Sequence, residues 1–121
     1  MKDLFNLRDK VAIVTGGNGG IGKAIARGLA AMGANLVIAA RNEAKTAEAV
    51  RDIQKEFGTR VLGLKIDVRQ EDEPRSLTAK TLGTFGRINI LVNNAGINIR
   101  KLPQDYTAAE WDEVLETNLR S

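Results

Sequence analysis

Residues 15–22 read TGGNGGIG, the first stretch of the chain whose residue types suggest a chemistry. It follows the apolar, β-branched VAIVT at 11–15 and leads into IGKAIARGLAAM at 21–32, where Ile21, Ile25 and Leu29 recur every four residues. A glycine-rich turn between a strand and a helix lets bare backbone approach a pyrophosphate, while the free N–H groups and positive dipole end of the helix meet its charge. Gly16, Asn18, Gly20, Ile21 and Gly22 are therefore the candidate contacts of such a group. The alternative is a merely permissive turn, and the flanking strand and helix argue against it. A nucleoside-triphosphate loop ending Gly-Lys-Ser/Thr is disfavoured, because Lys23 follows Gly22 but is itself followed by Ala24.

Three further positions bear on which dinucleotide fits. A site for NAD places an acidic residue about 20 positions beyond the loop, against the ribose hydroxyls. Ala40 stands there instead, with Arg41 next. Without a carboxylate a 2′-phosphate is not repelled, and a guanidinium pairs with it in bidentate fashion. NADP is thus the expected cofactor, with NAD left open; the competing reading makes Arg41 an ordinary solvated residue beside Asn42 and Glu43. Asp67 can accept from an adenine amino group while the Val68 N–H donates to the ring, or Asp67 can cap the helix that follows. Asn93, Asn94, Ala95 and Gly96 close a fourth apolar run, where small residues permit close approach of a nicotinamide ribose.

Composition excludes other chemistries. The 121 residues contain no cysteine and no histidine, which removes disulfides, Cys/His zinc sites, thiol nucleophiles and imidazole bases. Eighteen basic against fifteen acidic residues give a net charge of +3, spread along the chain, which suits a phosphate but not a nucleic-acid surface. The opening MKDLFNLRDK lacks the apolar core of a signal peptide and no run approaches a membrane span, so the expected location is cytoplasmic.

Positioning these residues requires alternating elements. Strands are expected at 11–15, 35–40 (NLVIAA), 60–66 (RVLGLKI) and 87–92 (RINILV). Helices are expected at 21–32, at 43–57 with Ala47, Val50, Ile53 or Gln54, and Phe57 near the buried side, and at about 70–84, where Pro74 fits only the first turn. Thr107 three residues before Glu110 predicts a capping box, followed by a helix with Trp111, Leu115 and Leu119 on one side. Strand–helix alternation with short links calls for an α/β, Rossmann-like, doubly wound parallel sheet in three αβα layers, one nucleotide-binding domain over residues 1–121. On this reading the chain stops after the fourth strand and within the next helix, leaving the far edge of that strand unpaired and open to self-association or to a partner.

Taken together, TGGNGGIG, Asp67-Val68 and NNAG at 93–96 resemble the short-chain dehydrogenase/reductase family, over essentially all 121 residues. The resemblance implies that Gly16, Gly20 and Gly22 line the pyrophosphate, that Asp67 reads adenine, and that Asn94 and Gly96 border the cofactor. It implies that Asn118 is the asparagine of the active-site tetrad, whose backbone carbonyl helps hold a water. Many NADP-using members carry a second basic residue just before the middle glycine, where this chain has Gly19, so Arg41 must supply most of the phosphate preference.

The family's catalytic serine and Tyr-x-x-x-Lys pair lie beyond the position of Asn118. Tyr106, the only tyrosine, is followed by Thr107, Ala108, Ala109 and Glu110 and cannot replace that pair. The chain therefore looks like the cofactor-binding half of an enzyme that moves hydride between nicotinamide and a carbonyl or secondary alcohol carbon, in a homodimer or homotetramer. AGINIRKLP at 95–103 is similar to sugar and sugar-acid members of the gluconate 5-dehydrogenase and 2-deoxygluconate 3-dehydrogenase kind. Arg100 and Lys101 either attract a substrate carboxylate or are solvent-facing charges. The competing classes are a noncatalytic nucleotide-binding module completed by a partner, and a Rossmann-like domain without a ligand.

Overall fold

The computed structural model describes residues 6–67, 73–94, 98–101 and 106–120, without the side chains of 98 and 118–120. Five strands form one sheet in the order β3-β2-β1-β4-β5, with β1 (Val11–Thr15) at its centre. β2 (Asn35–Ala40) and β4 (Ile90–Asn93) flank β1 in parallel, and β3 (Val61–Lys65) extends the sheet beyond β2. All five residues of β1 are buried, which is why its sequence is continuously apolar instead of alternating.

Alternate residues of the strands feed two cores. Ile13, Val37 and Leu91 join Leu77 of α3 (Glu73–Phe85) with Trp111 and Leu115 of α4 (Ala108–Arg120) on one face. Ala12, Val14, Ile38 and Val92 join Ala26 of α1 (Gly20–Ala31) and Ile53 of α2 (Glu43–Phe57) on the other. Each fully buried Ile, Leu or Val contributes about 1.5–3 kcal/mol, so the two layers hold the strand ends that carry the site.

The expected three-layer α/β fold is present, with α2 at its expected bounds. Several local expectations are corrected. The buried side of α1 is Gly22, Ala26 and Ala30, whereas Ile21 is 61% exposed and Ile25 and Leu29 are half-buried. Small residues win this face because α1 lies close against the sheet. α2 likewise buries Thr46, Ala49 and Ile53, leaving Ala47 and Gln54 exposed and Val50 and Phe57 half-buried. β4 starts at Ile90, because Asn89 instead exchanges bonds with the start of β1, its Oδ1 accepting from Val11 N at 2.9 Å. β3 is one residue shorter at each end than expected.

α3 begins at Glu73, with Pro74 in the first turn, where no backbone donor is needed, and continues through Gly83 to stop before Gly86 (φ +78). The expected helix residues 70–72 lie outside the described residues. The capping box before α4 is formed: Thr107 N donates to Glu110 Oε1 at 2.9 Å, and Glu110 N to Thr107 Oγ1 at 3.2 Å. Trp111 and Leu115 are buried as expected, and the Leu119 side chain is outside the described residues.

The largest correction concerns the far edge of β4. It is covered by β5 (Asn98–Lys101), which returns antiparallel in a register that pairs Asn93 with Asn98 and Ile90 with Lys101. An antiparallel neighbour needs only a short connection, and main-chain pairing makes no demand for an apolar run. NIRK was therefore invisible as a strand: Ile99, Arg100 and Lys101 are exposed, and edge charges of this kind discourage further pairing.

Candidate functional site

The site lies where β1, β2 and β4 end at their carboxyl edge. A hydroxyl ties two of these ends together: Thr15 Oγ1 stands 3.3 Å from Val92 O and 3.2 Å from Asn93 Oδ1, and accepts from Asn94 N at 3.2 Å. Gly16 N donates to Ala39 O at 2.8 Å, fixing the start of the glycine loop to the end of β2. A threonine that opens a loop motif thus has a structural task, and only the pairing of β1 with β4 reveals it.

Within the loop, glycine is required at particular points. Gly16 (φ +68) and Gly20 (φ +55) adopt the left-handed region that side chains disfavour. Gly22 is buried, and a Cβ there would run into the Gly16 carbonyl oxygen and lie 3.0 Å from the Asn94 amide nitrogen. Its absence lets α1 sit directly beneath the loop, so Gly22 acts from below instead of facing the opening. Asn18 Nδ2 donates to Thr46 Oγ1 at 3.3 Å, latching the loop tip to the first turn of α2.

The loop and strand ends enclose a cavity of about 430 Å³. Gly16, Asn18, Arg41 and Asn94 of the expected set line it, together with Lys45, which sequence reasoning did not single out. Gly20 and Ile21 are exposed at the start of α1 and are not in its lining. Asp67 borders a smaller adjoining cavity of about 210 Å³ with Lys65, Glu73 and Arg41, so Arg41 belongs to both openings. Asp67 N also donates to Glu73 Oε1 at 3.4 Å, a link between the end of β3 and α3. Val68, Ala95 and Gly96 lie outside the described residues; Asn118 is in the last turn of α4, its side chain likewise outside them.

The electrostatics favour an anion. Gly19, the residue before α1, offers no capping side chain, and the first turn of α1 holds no acidic residue. Its N-terminal donors and positive dipole end are thereby left for an external acceptor. Among the described residues neither Arg41 nor Lys45 has an ion-pair partner, whereas Lys23 pairs with Asp52 at 3.1 Å and Arg27 with Glu56 at 2.7 Å. Gly16, Arg41 and Lys45 share one cavity, with the uncapped end of α1 beyond its lining, and the arrangement suits an anionic ligand.

A family model for short chain dehydrogenase matches residues 10–121. The chain belongs to the short-chain dehydrogenase family. It is 37% identical over 98% of its length to 2-dehydro-3-deoxy-D-gluconate 5-dehydrogenase of Formosa agariphila, covering 45% of that protein. It is 40% identical over 97% of its length to the 3-oxoacyl-acyl-carrier-protein reductase of Escherichia coli, covering 46%. The structure of L-sorbose reductase from Gluconobacter frateurii, complexed with NADPH and L-sorbose, superposes with a TM-score of 0.75 at 32% identity, over 95% of this chain and 46% of that one. The chain spans about half the length of the curated short-chain dehydrogenase relatives it matches. No described helix is long and apolar enough to cross a membrane.

The remaining candidates are placed away from this chemistry. Tyr106, half-buried, packs edge-on against Trp111 of the core, ring centroids 5.4 Å apart. Arg100 and Lys101 pair with Leu91 and Ile90, two and three positions back from the carboxyl edge of β4. Arg100 instead lines a cleft with Glu110 and Glu113 of α4, which favours the solvent-facing reading of these two charges over a substrate role.

Proposed function

We propose that residues 1–121 form the cofactor-binding half of an NADP(H)-preferring oxidoreductase acting on a small carbonyl or secondary alcohol, of the sugar or sugar-acid class. The single observation that carries the cofactor reading is Arg41, exposed and without an ion-pair partner among the described residues, on the same cavity as the glycine loop, directly after a β2 terminus that lacks an acid. In this reading Gly16, Gly20 and the first N–H groups of α1 around Ile21 take the pyrophosphate, with Gly22 giving α1 its close approach. Asn18 holds the loop tip to α2, Arg41 binds the 2′-phosphate, and Asp67 and Val68 read adenine. Asn94, Ala95 and Gly96 border the nicotinamide ribose. Asn118 contributes its backbone carbonyl to water placement.

The bound nicotinamide supplies or accepts the hydride. The residues of this chain bind and orient; proton transfer at the substrate oxygen is assigned to none of them, since Tyr106 packs on Trp111 and faces a cleft other than the candidate cavity. The sugar-acid class takes its support from the likeness to the gluconate-type and sorbose-reducing relatives. The similarity to an acyl-carrier-protein reductase supports a β-ketoacyl thioester as the second reading.

Calorimetric titration of the chain with NADPH and NADH tests the proposal. Saturable binding with NADPH at least about tenfold tighter is expected, and Arg41→Ala should remove most of that difference, as loss of a charge-assisted phosphate contact predicts. Equal affinity for both cofactors in the unaltered chain would refute the NADP preference, and binding of neither would refute the site.

A further inference from the structure

We infer that Lys45 is the second cation of the 2′-phosphate site, delivered from α2 into the space beside Gly19 of the glycine loop. The inference rests on the NADP(H) reading above and adds a specificity-determining residue to it. A Cβ built on Gly19 would lie 2.7 Å from Lys45 Nζ and 2.9 Å from its Cε. The ammonium group therefore occupies the space a side chain at position 19 would enter, and it lines the same cavity as Arg41.

Two contacts fix the backbone that carries Lys45. The Asn42 side chain accepts from Lys45 N at 3.0 Å, fixing the first turn of α2, and the Asn18–Thr46 hydrogen bond of 3.3 Å binds the neighbouring residue to the loop. The placement is electrostatically unfavourable for α2 itself, because a cation in the first turn opposes the helix dipole. No acidic side chain among the described residues neutralises it, although Lys23 and Arg27 on the adjacent helix each have a carboxylate partner. Two unneutralised cations on one cavity, one a planar guanidinium and one a point charge, suit a phosphate monoester of the adenosine ribose.

The test uses the 121-residue chain, NADPH and NADH, and the variants Lys45→Met, Lys45→Arg and Lys45→Ala/Gly19→Arg. Gly19 has an extended backbone (φ −172, ψ 169), so arginine is sterically admissible once the lysine is removed. Lys45→Met should weaken NADPH roughly five- to tenfold while NADH changes less than about twofold, and Lys45→Arg should stay near the parent. The double variant should recover most of the lost NADPH affinity, which a merely structural lysine would not allow. Weakening of both cofactors alike, or of neither, would overturn the role of Lys45 while leaving the Arg41 preference standing. If the unaltered chain shows no preference for NADPH, the underlying cofactor reading falls and this inference with it.

Discussion

α1 and α2 both start at the carboxyl edge of the sheet, each following a buried strand, yet their first turns are built in opposite ways. α2 is satisfied locally: Asn42 caps it at 3.0 Å and Glu43 stands in its first turn. α1 begins from Gly19 with no capping side chain and no acid, over a loop whose glycines at 16 and 20 have positive φ. A helix end provided with its own acceptors is finished by the chain, whereas one left bare in a built cradle is finished by something that binds. On the proposed reading the bare end of α1 meets the pyrophosphate with its backbone, whereas the self-capped end of α2 contributes the side chains Arg41 and Lys45.

The largest effect expected on this contrast comes from filling the space under the α1 loop. Gly22→Val would drive atoms into the Gly16 backbone carbonyl, which cannot move aside as a side chain tip would. A loss of about 2–3 kcal/mol in urea denaturation is expected, with nucleotide binding abolished. Unchanged stability would show that α1 can retreat from the loop.

A second variant gives α1 the acid it lacks. Ile21→Asp introduces a carboxylate at an exposed first-turn position. Stability should rise by up to about 0.5 kcal/mol through the dipole, while NADPH and NADH both weaken about tenfold, since the added charge opposes the pyrophosphate shared by the two. Opposite signs in the melting curve and the titration are the diagnostic result; parallel losses would mean that the α1 end is not the anion site.

The smallest effect belongs to a helix that finishes itself. Thr107→Ala removes one half of the capping box before α4 and should cost about 1 kcal/mol, with the ratio of NADPH to NADH affinity unchanged. A change in that ratio would show that the start of α4 communicates with the Arg41 side of the sheet.

Much of this was legible before any coordinates. Periodicity placed α2 at its observed bounds, Thr107 and Glu110 announced the start of α4, and TGGNGGIG with Ala40-Arg41 supplied Gly16, Asn18, Ala40 and Arg41 to the lining of one cavity. The errors have separate causes. Ile21, Ile25 and Leu29 repeat with helical spacing, and Ile25 and Leu29 do pack against the core, but Ile21 is exposed and the fully buried face is Gly22, Ala26 and Ala30, because close approach to a sheet selects for small volume and not for hydrophobicity alone. NIRK has no apolar pattern, and its pairing with β4 is a main-chain property. A signal for Lys45 existed, since a residue three positions past the Asn42 cap must lie in the first turn at the carboxyl edge, but nothing in its type distinguished it from a solvated lysine.

Local chemistry is written residue by residue: where backbone must be bare, where a helix starts, which strand is buried on both faces. Those features of this chain follow from φ preferences, capping and the length of apolar runs, and they needed no neighbour to be read. The junctions depended on the folded sheet. Thr15 meets Asn93 and Asn94 across 78 and 79 positions of chain, Asn18 meets Thr46 across 28, and Lys45 meets the Gly19 space only once β1 and β2 lie in parallel register. Such contacts depend on strand order and register, which bring distant residues within a few ångströms and have no counterpart in local spacing.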